Sequence, residues 1–149
     1  MDASRARHEI ENLIHTYAER MDLADFEGVG ELLEAARYGG EGMEPLAGGA
    51  EVARLLAGGI HLYDGSPRTK HVTTNLIVEL GPAADEARAR SYFTVLQAVD
   101  GPPATIVAGR YHDRFSLSED RWRFTERIIV MDLVGDLTKH LRFDPRRSA

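Results

Sequence analysis

The sequence predicts an α+β protein in which helices come first and a meander of antiparallel strands follows. In the first sixty residues, apolar side chains recur every three or four positions, as in amphipathic helices. After Pro67 they alternate with polar ones, as in half-buried strands. The chain has 149 residues, of which 43% are hydrophobic and 28% charged. This size and composition predict one globular domain spanning residues 1–149.

Three helices are predicted in the N-terminal part. The first covers residues 4–21, and its apolar stripe includes Tyr17. The second follows Asp25, a suitable N-cap, although Gly28 and Gly30 each weaken it by about 1 kcal/mol relative to alanine. The third covers residues 50–57, and the glycine-rich stretch before it is expected to be a loop.

Four strands are predicted at residues 69–80, 86–99, 105–117 and 121–133. Their short connections make neighbouring strands antiparallel. The helices are expected to pack on one face of this curved sheet, with a pocket between the two layers. Residues 135–149 show little periodicity, so we expect a C-terminal tail that frays or covers a neighbouring subunit.

Composition disfavours several classes of function. The net charge of -6 has the wrong sign for nucleic acid or an anionic membrane surface. The absence of cysteine removes disulfides, thiol nucleophiles and thiolate metal sites. No secretory signal and no run of 18 apolar residues is recognisable, so a cytoplasmic location is expected.

Known cofactor and nucleophile motifs are also missing. The sequence has no dinucleotide-binding or P-loop glycine motif and no Gly-x-Ser-x-Gly elbow. The six histidines do not have the spacing of metal ligands. We therefore expect neither a metal nor another cofactor. Proton transfer by a histidine–carboxylate pair is the chemistry that remains.

Asp22 and His71 are the leading candidates for such a pair. Asp22 ends the first helix, where the helix dipole disfavours an anion. His71 is on the polar side of the first strand together with Thr73 and Asn75, a face too polar for an ordinary core. Each residue also has a structural interpretation, because Asp22 can cap the next helix and an isolated strand histidine is usually satisfied or exposed.

Several segments resemble the SnoaL-like branch of the nuclear transport factor 2-like superfamily. The resemblance covers roughly residues 8–134. It lies in the element order and in three segments: Tyr17-Ala18-Glu19-Arg20-Met21-Asp22, Lys70-His71-Val72-Thr73-Thr74-Asn75, and the hairpin from Gly109-Arg110-Tyr111-His112 to Trp122-Arg123-Phe124-Thr125-Glu126-Arg127. The resemblance implies a cone-shaped α+β barrel that commonly forms dimers. Members include polyketide cyclases, scytalone dehydratase, dehydrochlorinase and ketosteroid isomerase.

The resemblance also implies roles for individual residues. Asp22 and His71 match the catalytic dyad of the dehydratases, and Tyr17 matches a substrate-facing tyrosine. Arg127 matches an arginine that lines the dehydrochlorinase pocket, but it shares strand parity with Arg121 and Arg123 and reaches the cavity only through a β-bulge. Asn75 is a further candidate for substrate binding. Gln97 is the nearest polar equivalent of a second pocket residue on a middle strand.

The resulting hypothesis is a cofactor-independent lyase or isomerase, similar to a dehydratase or cyclase. His71 would remove a proton from a small, mostly apolar cyclic substrate, and Asp22 would orient the imidazole. The alternative is a non-catalytic small-molecule-binding or protein-interaction module of the same fold. A homodimer or higher homo-oligomer built on the convex face of the sheet is expected, because the helices cover only one face.

Overall fold

The structure is a computed structural model that describes residues 1–146. Three helices and six strands form an α+β fold. The helices are α1 (Ala3–Asp22), α2 (Phe26–Leu32) and α3 (Gly49–Gly59). The strands are β1 (Arg37–Gly40), β2 (Leu46–Ala47), β3 (Thr69–Leu80), β4 (Glu86–Gln97), β5 (Ala104–Ser118) and β6 (Arg121–Val134). The three predicted helices and four long strands are confirmed with small shifts at their ends.

All six strands belong to one curved sheet in the order β2-β1-β6-β5-β4-β3. The four long strands form the predicted antiparallel meander, whereas β1 pairs in parallel with β6. The prediction of a loop around Gly39 was wrong, because this part of the chain contains β1 and β2. These two strands are only four and two residues long, too short for alternation to reveal them.

Gly30 in α2 and Gly49 at the start of α3 allow these two helices to touch. A Cβ atom on Gly30 would collide with the carbonyl oxygen of Gly49, and one on Gly49 would collide with the carbonyl oxygen of Gly30. The backbones therefore approach more closely than any larger residue permits. The intrinsic cost of Gly30 inside a helix is thus tied to a packing requirement.

Two of the four β-bulges in the sheet change the side that predicted site residues face. In β3, Thr74 pairs with Tyr92 and Ile77 with Arg90, so two residues of β3 oppose one of β4. Asn75 lies in this bulge with a φ of 53°. The predicted alternation along β3 is therefore wrong beyond this point: Leu76 packs against the core, on the same side as His71, and Ile77 is 46% exposed.

The second bulge is in β6. Phe124 pairs with Phe115 and Glu126 with Arg114, so Thr125 is the additional residue. Phe124 and Arg127 are both completely buried as a result. The sequence analysis let Arg127 reach the cavity only through a bulge of this kind; the bulge is present, and it turns Arg127 into the protein interior.

The C-terminal segment, residues 135–146, folds back onto its own chain. Leu137 and His140 are buried, and Leu141 forms an isolated β-bridge with Ile60. The amide of Gly135 donates to the carbonyl oxygen of Ile106 at 2.8 Å. The expectation that this tail frays was therefore wrong for these residues, because Leu137 and Leu141 pack against the core. That the tail covers a neighbouring subunit stays a prediction. Residues 147–149 of the predicted tail lie outside the described part.

Among residues 1–146, no helix has both the length and the apolarity required to cross a membrane.

Candidate active site

The end of α1 and the start of β3 bring Asp22 and His71 together. Nδ1 of His71 and Oδ1 of Asp22 are 2.6 Å apart, a hydrogen-bond distance. The Asp22 carboxylate also accepts hydrogen bonds from the backbone amide of His71 at 2.9 Å and from the Thr69 hydroxyl at 2.9 Å. The side chains of Asp22 and His71 are only 11% and 6% exposed, respectively. The histidine ring is thus fixed in orientation by a nearly buried carboxylate.

These contacts keep Asp22 ionised. Burial alone would raise the pKa of Asp22, but the hydrogen bonds and the charge interaction with His71, together with the Thr69 hydroxyl, lower it below its usual value. Because Nδ1 of His71 is bonded to Asp22, Nε2 is the ring nitrogen left for a ligand. The arrangement suits a base that is oriented on one side and open on the other.

His71 is in the wall of a cavity of about 710 Å³ between the helices and the sheet. This volume is within the range of small-molecule sites. Most lining residues are apolar: Met21, Met43, Leu46, Leu55, Leu56, Ile60, Phe93, Val95, Val107, Ile129, Met131, Leu137, Leu141, Phe143 and Pro145. Among the described lining residues there is no lysine or arginine.

Three tyrosines form a polar region of the cavity wall. Tyr17, Tyr38 and Tyr111 all line the cavity, and the hydroxyl groups of Tyr17 and Tyr38 are hydrogen bonded at 2.7 Å. Burial is the main factor that raises the pKa of each phenol. All three therefore remain neutral at physiological pH and keep their hydroxyl protons, one of which is used in the hydrogen bond between Tyr17 and Tyr38.

Arg127 supports the tyrosines from inside the protein. Its guanidinium donates two hydrogen bonds to Asp113, of 2.8 and 2.9 Å, and both side chains are fully buried. The guanidinium carbon is 4.3 Å from the centre of the Tyr17 ring and 3.8 Å from that of Tyr111. Burial opposes the charge on Arg127, but Asp113 raises its pKa further above the usual value. Arg127 faces the interior behind the two tyrosines and is not among the residues that line the cavity.

Two predicted substrate-binding residues are not in the cavity. Asn75 is exposed at the β3 bulge, because the bulge ends the alternation that would have placed it beside His71. Gln97 is buried but donates to the carbonyl oxygens of Pro67 and Lys139, both at 3.1 Å. It connects β4 to neighbouring segments instead of facing a ligand. Tyr17 lines the cavity as expected.

The structure adds a residue that the sequence analysis did not select. His140, in the C-terminal segment, lines the cavity, and the centre of its ring is 6.3 Å from that of His71. In the sequence, His140 entered only the test for metal-ligand spacing, which it does not meet. In the described part of the chain, no group of three or more potential metal ligands is placed to hold an ion.

The chain thus combines a curved sheet covered by helices with a histidine–carboxylate pair in the wall of an apolar cavity. Residues 2–128 match the SnoaL-like domain family, and the chain belongs to this family. No curated protein matches the chain.

Solved structures support the same fold. An NTF2-like protein with a cystatin-like fold from Novosphingobium aromaticivorans has a TM-score of 0.69 and 25% identity, covering 85% of this chain and 82% of that one. A provisionally assigned scytalone dehydratase from the same organism has a TM-score of 0.70, 18% identity and coverage of 87% and 86%. ActVI-ORFA from Streptomyces coelicolor has a TM-score of 0.69, 16% identity and coverage of 85% and 97%. The last two show likeness of fold only.

Proposed function

We propose that this protein is a cofactor-independent lyase or isomerase that removes a proton next to a carbonyl or leaving group. The observation that carries this proposal is the 2.6 Å contact between Asp22 and Nδ1 of His71 in the wall of an apolar cavity. Membership in a family with SnoaL-like domains and fold likeness to a provisionally assigned scytalone dehydratase add support. The size and apolar lining of the cavity favour a small, mostly apolar cyclic substrate.

In this proposal, Nε2 of His71 accepts the proton from carbon. Asp22 accepts the hydrogen bond from Nδ1, which fixes the tautomer with a free Nε2 and stabilises the imidazolium that forms. Proton abstraction beside a carbonyl moves negative charge onto the carbonyl oxygen. Tyr17 and Tyr38 share one hydrogen bond, so one of their two neutral hydroxyls donates to the other and the second has a proton free to donate to that oxygen.

The experiment follows proton exchange at carbon and does not require the natural substrate. The protein is incubated in D₂O with 1-tetralone, a bicyclic ketone, and loss of the α-proton signal is measured by ¹H NMR. We expect faster exchange than in buffer. His71→Ala should abolish the acceleration, and Asp22→Asn should reduce it on the order of 10²- to 10⁴-fold.

His112→Ala is the matched control, because His112 is exposed on β5, away from the cavity. This variant should retain the wild-type exchange rate. Acceleration that persists in His71→Ala would refute the proposed base. A wild-type protein that binds 1-tetralone without accelerating exchange would favour the alternative function, a non-catalytic small-molecule carrier. The predominantly apolar lining of the cavity is the observation behind that alternative.

A further inference from the structure

His140 reaches the cavity from outside the part of the chain that the family shares. The family match ends at residue 128, and the C-terminal segment begins after β6. Nevertheless, this segment contributes Leu137, His140, Leu141 and Phe143 to the cavity wall. Recognition by these side chains is therefore not implied by the family match.

The backbone around His140 is firmly anchored. The His140 carbonyl oxygen accepts from the His61 amide at 2.9 Å, and the His140 amide donates to Leu137 at 3.0 Å. The carbonyl oxygen of Lys139 accepts from both Gln97 and the Tyr63 hydroxyl. His140 itself is only 6% exposed. Its ring is consequently held in place beside His71 before any ligand binds.

The two nitrogens of the His140 ring differ in their surroundings. Nδ1 is buried and has no hydrogen-bond partner among residues 1–146. Nε2 has no hydrogen bond to a described residue either, but unlike Nδ1 it is not fully buried. Because His140 lines the cavity, Nε2 is the nitrogen that a ligand can reach. Burial first, and then the proximity of His71 and His61 against the opposing effect of Asp22, lower the pKa of His140 to about 4. The ring is therefore neutral at pH 7.

We propose that His140 is a second substrate-binding residue, whose neutral imidazole donates a hydrogen bond from Nε2 to an uncharged carbonyl or hydroxyl oxygen of the substrate. This deepens, and rests on, the proposed function of the same cavity. His71 and His140 then have separate tasks: His71, paired with Asp22, takes a proton, whereas His140, which is paired with no carboxylate of residues 1–146, only binds. The 6.3 Å between the ring centres leaves room for both to contact one small cyclic molecule.

The charges around the cavity favour an uncharged ligand over an anion. The described lining includes the acidic residue Glu44, and Asp144, which is paired with Arg146 at 3.0 Å, but no lysine or arginine. The nearby guanidinium of Arg127 is neutralised by Asp113. A carboxylate or phosphate would thus meet no cationic partner that compensates for the loss of water. A neutral oxygen requires only a hydrogen-bond donor, which His140 supplies.

The test compares two probes of nearly equal size. 1-Tetralone carries a ketone oxygen, whereas tetralin is the same bicycle without it. Dissociation constants for both are measured by NMR titration of wild type, His140→Phe and His140→Gln. We expect His140→Phe to weaken 1-tetralone binding about 2- to 12-fold, the effect of one neutral hydrogen bond, and tetralin binding by less than 2-fold. His140→Gln retains an N–H donor and should recover part of the ketone affinity.

His112→Phe is the control for replacing a histidine by phenylalanine away from the cavity, and amide spectra confirm that each variant is folded. Equal weakening of both probes by His140→Phe would indicate a packing role and overturn the proposal. A wild-type protein that prefers tetralin to 1-tetralone, or does not distinguish them, would also overturn it. Binding is measured here, not proton exchange, so failure of His71 as a base leaves this result unaffected. Likewise, exchange that depends on His71 can persist even if His140 does not bind the ketone.

Discussion

Breaking the buried Asp113–Arg127 pair should cost more stability than any exposed ion pair in this protein. Both side chains have zero exposure, and two hydrogen bonds of 2.8 and 2.9 Å join them. Asp113→Leu leaves a guanidinium that cannot lose its proton in a dry environment. Arg127→Met leaves the opposite carboxylate without its partner. Exposed pairs such as Arg54–Glu51 stay hydrated and contribute about 0–1 kcal/mol.

The magnitude follows from the contacts. Two hydrogen bonds to charged groups are worth about 1.5–3 kcal/mol each. Part of the loss is offset in Asp113→Leu, because the rings of Tyr17 and Tyr111 still stabilise the cation. We expect each single variant to lower the free energy of unfolding by about 3–5 kcal/mol. The double variant, in which an apolar pair of similar volume replaces both charges, should be more stable than either single variant.

Urea unfolding at pH 7 measures these differences in the free energy of unfolding. The values are comparable when the slope of free energy against urea concentration is the same in variant and wild type. The decisive quantity is the coupling between the two sites in a double-mutant cycle. Single variants that lose less than about 1 kcal/mol, or a double variant whose loss equals the sum of the two, would show that the pair does not act as a buried unit. Asp132→Asn, at the exposed Arg110–Asp132 pair, is the control and should change stability little.

Two further predictions concern acid stability and assembly. Because the pKa of His140 is 6.5 when unfolded and about 4 when folded, the unfolded chain takes up its proton first. The free energy of unfolding should therefore fall by about 3 kcal/mol in total as the pH is lowered from 6.5 to 4. Urea unfolding at pH 7 and pH 5 measures this change, and the His140→Phe variant should not show it. On the outer face of the sheet, Tyr92 and Leu133 are 51% and 71% exposed. We therefore expect this face to form the contact of a homodimer or larger oligomer. Light scattering at micromolar concentration should detect the oligomer, and Leu133→Glu should weaken it; a wild-type monomer would contradict this.

The periodicity of the sequence was sufficient to predict the fold because most side chains obey one rule per element. The helical stripe containing Ile10, Ile14 and Tyr17 is buried as predicted. Every second residue of β4 from Ala87 to Gln97 is buried. Alternation also identified the ends of the long strands to within two residues. Short elements such as β1, with only four residues, contain no more than two repeats of the strand period, which is too few for such a rule to detect them.

The parts of the site that were missed depend on features without a period. One inserted residue in a strand reverses the side that every later residue faces. The bulge at Asn75 therefore keeps this residue out of the cavity, where it was predicted to bind substrate, and the bulge at Thr125 turns Arg127 inward. His140 belongs to a segment of irregular backbone, so nothing local indicated that it would approach His71. Such long-range proximity is set by the packing of Leu137 and Leu141, which only the folded chain reveals.

The contacts of Asp22 separate its structural role from its proposed chemical role. Thr69 and the backbone amide of His71 both donate to the Asp22 carboxylate, so it ties the end of α1 to β3 without any help from the imidazole. His71→Ala keeps these two hydrogen bonds and should therefore remain folded, whereas Asp22→Ala loses them along with the imidazole contact. For this reason, loss of proton exchange in a stable His71→Ala protein is evidence about chemistry, and the same loss in Asp22→Ala is not. Asp22→Asn retains an oxygen that can accept from Thr69, so its effect on exchange, measured beside its unfolding free energy, reports the carboxylate charge.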